Sequence, residues 1–328
     1  MKILIIPDVH GSTEWIKIKK FPLKKYDYIV FMGDYFDSWE NKWPEQGENF
    51  KEICDFVRED IEHRKLLIGN HDWSYLSKSR NGANCSGHQN GMITKDGKLV
   101  ESKSNVIRQL LLSAKDILQL SFECDGWVFS HAGFSKTAVN YMKIILSKIY
   151  GIDYTGETFS ISLLNETFRK RLEEYNGNTK INWIPFDMKL DWDGHFSGSG
   201  DEPSQFCLWI RPESLLSDAY YTRQVVGHTE MCIGDFIALK NNNSDNQTVL
   251  VCTDSPQHNI FNSFDTQNPP KALTISEYNK VYKNTQRNIN NIKSKVGTMK
   301  NCTKDFVMNE LKKYFDESLA ERYYELFF

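Results

Sequence analysis

Short apolar runs bounded by turn-forming residues recur along the 328-residue chain, and five of them set its rhythm. They are Ile3-Leu4-Ile5-Ile6, Tyr28-Ile29-Val30-Phe31-Met32, Leu66-Leu67-Ile68, Trp127-Val128-Phe129 and Val225-Val226. Each is short and rich in β-branched or aromatic residues, so each predicts a buried strand. Between them the apolar period lengthens to that of a helix. Phe50, Ile53, Phe56, Val57 and Ile61 predict a crossover helix over 46–63. Val106, Ile107, Leu110, Leu111, Ile117 and Leu118 predict a second helix. Ala138, Tyr141, Ile144, Ile145 and Ile149 predict a third, stopped at Gly151. Strand–helix alternation predicts an α/β fold with parallel pairing inside its sheets and helices packed outside.

Two stretches leave this alternation. Residues 77–105 are rich in Ser, Asn and Gly, and their Asp96-Gly97 pair predicts a hairpin turn. This insertion falls between two groups of polar motifs and reads as a lid or a plain surface excursion. Residues 190–206 are loop-like, and Asp191-Trp192-Asp193-Gly194 lacks the spaced ligands and terminal Glu of a calcium loop. After Asn268-Pro269-Pro270 the composition shifts, with 275–300 polar and rich in Lys and Asn. Over 303–328, Phe306, Leu311, Tyr314, Phe315, Leu319, Tyr323 and Leu326 give an apolar helical face expected to dock on the main body or on another subunit. The expected organisation is a main domain over 1–268 and a helical extension over 269–328.

Hydrophobic content of 40% and charged content of 25% suit a water-soluble globular chain. A net charge of −3 gives no broad basic field, so bulk electrostatics do not imply nucleic-acid binding, although a local basic groove is compatible with it. Seven scattered cysteines without a C-x-x-C pair argue against a disulfide framework or a zinc ribbon. A reducing cytoplasm is the expected compartment. The Asn-, Lys- and Ile-rich usage suits an AT-rich genome, viral or bacterial; for a virus, that compartment is the host cytoplasm. No apolar stretch has the length of a membrane span, and no leader-like segment precedes the first strand.

The informative feature is how the five runs end. They run into Asp8 and His10, Asp34 and Asp37, Asn70 and His71, His131, and His228. Ligands of open α/β sheets sit beyond the carboxyl ends of the strands, and hard oxygens mixed with imidazoles there suit divalent metals. Asp8 and His10, two residues apart, are expected at one ion, and the Asp34 carboxylate between two. Asn70, His131 and His228 are expected at the second. Two ions about 3.5–4 Å apart acidify a water and clamp the attacking and departing oxygens of a phosphoester. His71 adjoins a ligand without needing to be one; held by Asp37, it is the expected general acid for the leaving group. His63, His88, His195 and His258 lack such context and read as surface or loop residues.

The series D-x-H, G-D-x-x-D, G-N-H-D, H-A-G and G-H, spanning roughly residues 1–255, resembles the calcineurin-like metallophosphoesterase superfamily. That resemblance implies a four-layer α/β/β/α sandwich of two mixed sheets flanked by helices. It also implies two divalent ions, with manganese expected and iron, zinc or nickel as alternatives. Ser130-His131-Ala132-Gly133 is similar to the phosphoprotein phosphatase and dinucleoside tetraphosphatase branch. Leu208-Trp209-Ile210-Arg211 is similar to its segment supplying a phosphate-contacting arginine, here Arg211. Gly227-His228-Thr229-Glu230 lacks the second histidine of nucleases and cyclic phosphodiesterases. Two departures stand out: Ser38-Trp39 follows Asp37 where that branch has Arg-Gly, and Asp72 stands where it has Glu. Arg80 is a candidate replacement for the missing arginine. The expected activity is hydrolysis of phosphomonoesters, from a phosphorylated protein or a small nucleotide. A nuclease or cyclic-nucleotide phosphodiesterase, and a scaffold without activity, are the alternatives.

Overall fold

The computed structural model describes residues 1–38, 41–77, 92–95, 98–151, 159–175, 202–231, 236–241, 248–254, 262–297 and 303–328. In the first half lie β1 (Lys2–Ile6), β2 (Tyr28–Phe31), α1 (Glu45–Arg58), β3 (Arg64–Leu67), α2 (Asn70–Ser77), β4 (Met92–Lys95), β5 (Lys98–Ser102) and α3 (Lys103–Ser113). There follow β6 (Leu118–Gln119), β7 (Ser121–Cys124), β8 (Trp127–Ser130), α4 (Lys136–Tyr150), α5 (Ile161–Tyr175), α6 (Pro212–Asp218) and β9 (Arg223–Val226). The chain closes with β10 (Ile237–Lys240), β11 (Val249–Cys252), β12 (Asn262–Asp265), α7 (Ile275–Gly297), α8 (Lys304–Leu311) and α9 (Glu317–Phe327).

Ten of these strands form two sheets, ordered β12-β1-β2-β3-β6 and β10-β11-β9-β8-β7. Both are mixed: β1, β2, β3 and β6 run parallel and β12 opposes them, while β8, β9 and β11 run parallel between antiparallel β7 and β10. Alternation along each strand decides the layering. Ile3, Ile5, Val30 and Met32, with Phe264 of β12, face the other sheet and meet its Trp127, Phe129, Val225 and Val251. Leu4, Ile6, Ile29, Phe31 and Leu66 face outward onto Phe50, Ile53 and Phe56 of α1 and Ile107 and Leu111 of α3. Leu215 and Leu216 of α6 and Tyr278 of α7 cover the outer face of the second sheet. The result is the expected four-layer sandwich. Because both faces of the central strands are covered, their sequences read as continuous apolar runs.

Three expectations need correction. The crossover helix predicted over 46–63 ends at Arg58, and Ile61 is exposed in the turn beyond it. The second predicted helix ends at Ser113, and Leu118 instead starts β6, paired in parallel with Leu66 of β3. The Arg58 guanidinium grips Asp116 (2.9 and 2.7 Å) and the Ser113 carbonyl (2.8 Å), holding the turn that diverts the chain. The apolar face over 303–328 belongs to two helices, because the Asp316 carboxylate caps a new one by accepting from the Leu319 N–H at 2.9 Å. The polar stretch before them is the long α7, whose Tyr278 packs on the second sheet while Ile292 joins a small core with α8 and α9. β4 and β5 pair antiparallel, with Lys95 opposite Lys98; Asp96 and Gly97, the predicted turn, lie outside the described residues, as do Arg80, 190–201, His88, His195 and His258. No helix among the described residues is long and apolar enough to cross a membrane.

Candidate metal centre

Beyond their carboxyl ends the strands continue as loops that bind one another. The N–H groups of His10 and Gly11, after β1, donate to the carbonyls of Asp34 (2.6 Å) and Tyr35 (3.0 Å), after β2. The Gly227 N–H reaches the His131 carbonyl at 2.8 Å, and the His228 N–H reaches both oxygens of Asp8 at 3.2 and 3.1 Å. Side chains from β1, β2 and β3 of one sheet and β8 and β9 of the other are thereby brought into one cluster.

The backbone there is unusual. Outside glycine, positive φ among the described residues occurs at His10 (43°), Asp34 (54°), Asp37 (66°), Asp125 (49°) and His228 (62°). Four of these five are predicted site residues. Left-handed backbone at non-glycine positions costs free energy and persists where surrounding structure enforces it, typically at functional sites. Two glycines give the carboxylates room. A Cβ on Gly69 would fall 2.0 Å from Asp34 Oδ1, and one on Gly227 would fall 2.3 Å from Asp8 Oδ1.

Tautomers follow from the carbonyls that hold the rings. His10 Nδ1 lies 3.1 Å from the Phe36 carbonyl, and His131 Nδ1 lies 2.9 Å from that of Met32. A carbonyl only accepts, so each Nδ1 carries the proton and each Nε2 offers a lone pair. His228 is turned the other way, with Nε2 3.1 Å from the Trp209 carbonyl and Nδ1 free to bind. Those lone pairs converge on other acceptors. Asn70 Oδ1 is 2.7 Å from His131 Nε2 and 2.9 Å from His228 Nδ1, and Asp34 Oδ2 is 3.5 Å from His131 Nε2 and 3.6 Å from His10 Nε2. Acceptors at these distances without a shared proton repel one another, and a divalent cation between them removes the conflict. The residues therefore fit metal ions.

Charge points the same way. Burial, then the neighbouring carboxylates of Asp254 and Asp34, push the Asp8 carboxyl well above its usual range. Burial alone would raise Asp34 as well, but His131, His71 and His10 hold it below the usual carboxylate range. Burial and His131 push His228 well below the usual imidazole value, so it is neutral, the form that ligates.

His10, Asp34 and His71 gather within 4.8 Å of one another, and so do Asp8, Asp34 and His131. The His10 and His71 rings lie edge-on, with centroids 4.8 Å apart. Asp34 belongs to both groups through Oδ2, while its Oδ1 accepts the His71 N–H, at the start of α2, at 2.9 Å.

Behind His71 lies a chain of hydrogen bonds. Its Nδ1 is 3.0 Å from Asp37 Oδ2, and the Tyr75 hydroxyl donates to Asp37 Oδ1. Asp37 is fully buried, so it serves that chain and is no loop cap. Burial alone would lower the His71 pKa, but the charges of Asp34 and Asp37 overcome it and hold the ring up to about 9. A divalent cation held beside Asp34 would weaken that carboxylate's pull and leave Asp37 to retain the proton. Arg211 caps α6 at the rim, with Nη1 3.5 Å from the Thr229 hydroxyl and its charge reaching His228.

Three residues have roles that the sequence does not show. Asp72 is fully buried and accepts the N–H groups of Asp34 (2.8 Å), Tyr35 (2.8 Å) and Gly69 (2.9 Å), locking the loops after β2 and β3 together. Tyr75 lies four residues after His71, one helical turn away on α2, a spacing that places both on one face. Asp254 is buried at the end of Val249-Leu250-Val251-Cys252, the same apolar-run-to-carboxylate pattern as the other motifs.

The two-sheet fold and this buried cluster of imidazoles, carboxylates and an amide define a protein built to hold divalent metal. The chain belongs to the calcineurin-like phosphoesterase family, whose model matches residues 1–229 and so covers the motifs from Asp8 through His228. Members of that family are generally dinuclear metal hydrolases. The crystal structure of a metallophosphoesterase from Sphaerobacter thermophilus matches at 20% identity and a TM-score of 0.25, over 40% of this chain and 47% of that one. This chain thus spans about half the length of that protein. No curated protein gives a match.

Proposed function

We propose that the chain hydrolyses phosphomonoesters, borne by a protein or a small nucleotide, with Asp8, His10, Asp34, Asn70, His131 and His228 holding two divalent ions. Manganese is our choice of ion. When bound, the pair supplies positive charge to the phosphoryl oxygens and makes water nucleophilic near neutral pH. The observation that carries the reading is the His71–Asp37–Tyr75 chain: a proton held on an imidazole beside the metal ligands is what a poor alkoxide leaving group needs. His71 donates that proton from Nε2, and Asp37 keeps the ring oriented and charged. Arg211, at the rim near His228, offers a planar fork for two phosphoryl oxygens. Position 230, where diesterases of the superfamily have histidine, is Glu in this chain, so the second histidine that those enzymes use is missing.

Turnover of an aryl phosphate, a phosphoserine peptide, a nucleoside monophosphate and a diaryl diester, each with added manganese, tests the reading. Monoesters should be cleaved much faster than the diester; a faster diester would establish the nuclease or phosphodiesterase alternative. Loss of the Arg211 contacts should cost about 1.5–3 kcal/mol, the scale of charged hydrogen bonds, or roughly 10–100-fold in kcat/KM. Arg211→Lys should recover little of the loss in Arg211→Ala, because an ammonium lacks the fork. Wild-type kinetics in Arg211→Ala would reduce the residue to a helix cap.

A further inference from the structure

Helix α7 carries Lys280, Lys283, Arg287, Lys293 and Lys295 against one acid, Glu277. Residues 269–328 hold 11 Lys and Arg against 7 Asp and Glu, a surplus of +4 in a chain whose total is −3. Residues 1–268 are therefore net negative, −7, and this extension is net positive. Lys280, Lys283 and Arg287 recur at i, i+3 and i+7, which aligns them in one stripe. Tyr278, Thr285, Ile289 and Ile292 are buried on the opposite side. Exposed Asn284, Asn291 and Ser294 extend the same stripe with neutral hydrogen-bonding groups.

Structural duties account for the other two cations. Lys295 pairs with Glu310 at 2.6 Å, and Lys293 lies over the Phe327 ring at 4.9 Å. Lys280, Lys283 and Arg287 have no ion-pair partner among the described residues; Arg287 touches only Asn284, at 3.2 Å. Glu277 does not neutralise the stripe. Its carboxylate accepts the Thr274 N–H at 2.8 Å, and exposed Lys240 and Lys271 both act on it.

From Lys280 to Arg287 the helix rises about 10 Å at 1.5 Å per residue. About four successive phosphates of one duplex strand, 3.4 Å apart along its axis, span the same length, enough for the three cations to meet one phosphate each. Lys, Arg, Asn and Ser are side chains that contact phosphate and sugar without reading bases. We propose that the exposed face of α7 binds the phosphodiester backbone of nucleic acid, without sequence preference, through Lys280, Lys283 and Arg287. On the buried face, the Tyr278 hydroxyl donates to the Met231 carbonyl at 3.0 Å, three residues after His228, so the start of α7 is anchored on the loop of the metal centre with the stripe turned outward. This binding is independent of the hydrolytic reading, since it uses none of the site residues.

The test measures binding of the full-length, chelator-treated chain to a fluorescent DNA duplex by anisotropy, with hydrolysis silent. Three phosphate contacts give a slope of log K against log salt near −2.7, so affinity should fall roughly 40-fold between 50 and 200 mM salt. The triple variant Lys280→Gln, Lys283→Gln, Arg287→Gln should bind at least about 10-fold more weakly, and the corresponding Glu variant should not bind. Both should match the wild type in melting temperature and aryl-phosphate turnover. Unchanged binding in the Gln variant, binding indifferent to salt, or retention on anionic phospholipid vesicles without duplex binding would each overturn the proposal.

Discussion

Asp34→Asn should lower turnover by roughly 10³-fold or more, equivalent to about 4 kcal/mol of lost transition-state stabilisation. Oδ2 of this one carboxylate faces both His10 Nε2 and His131 Nε2, so its neutralisation weakens both ligand groups at once. Asparagine tolerates the left-handed backbone at this position (φ 54°), so the defect should be one of charge, with the fold retained. A calorimetric scan separates the two. Manganese at about 100 times its Kd should stabilise the wild type by about 2.7 kcal/mol. That corresponds to a melting point roughly 5–10 °C higher for a large domain. In the variant most of that gain should vanish while the metal-free melting point hardly moves. A variant that still gains the full increment from manganese would show that Asp34 is not the shared ligand.

His71→Asn should retain the metal-dependent gain in melting temperature yet turn over an alkyl phosphate roughly 10²–10⁴-fold more slowly, the usual scale for general acid catalysis. An aryl phosphate should suffer far less, because its leaving group departs with little protonation. The geometry explains the selectivity. His71 is tied through Nδ1 to Asp37 at 3.0 Å, and its main-chain N–H holds Asp34 Oδ1, a contact that asparagine keeps. His71 also groups with His10 and Asp34 as a possible third ligand. Equal losses on both substrates, together with a weakened response to manganese, would assign it that role and remove the acid from the mechanism.

Much of this was legible in the chain because it is local. A strand buried on both faces must be apolar at consecutive positions, so Ile3–Ile6, Tyr28–Met32 and Trp127–Phe129 announce themselves. Polar residues that end such runs lie where parallel strands expose their carboxyl ends, which is how Asp8, Asp34, Asn70, His131 and His228 were found. Errors arose where one pattern served two periods. Ile117 and Leu118 continue a helical face and equally open a strand, and the free edge of β3 decided between them. Asp254 ends an apolar run in the same manner and passed unnoticed without a neighbouring motif to support it.

By itself the sequence determined the five strands that carry the motifs, where each of them stops, and the kinds of ligand presented there, since burial and ligand type act residue by residue. Tertiary structure alone decided how those ends meet. β12, from the far part of the chain, pairs antiparallel with β1, and no periodicity within either strand encodes that register. Which imidazole nitrogen faces the site depends on carbonyls of Phe36, Met32 and Trp209, distant in sequence from the rings they orient. Asp72 reads in sequence as an exchange of one acid for another, but in the fold it holds two loops through three backbone N–H groups. Such roles depend on distance and direction in space, which residue type and spacing along the chain do not carry.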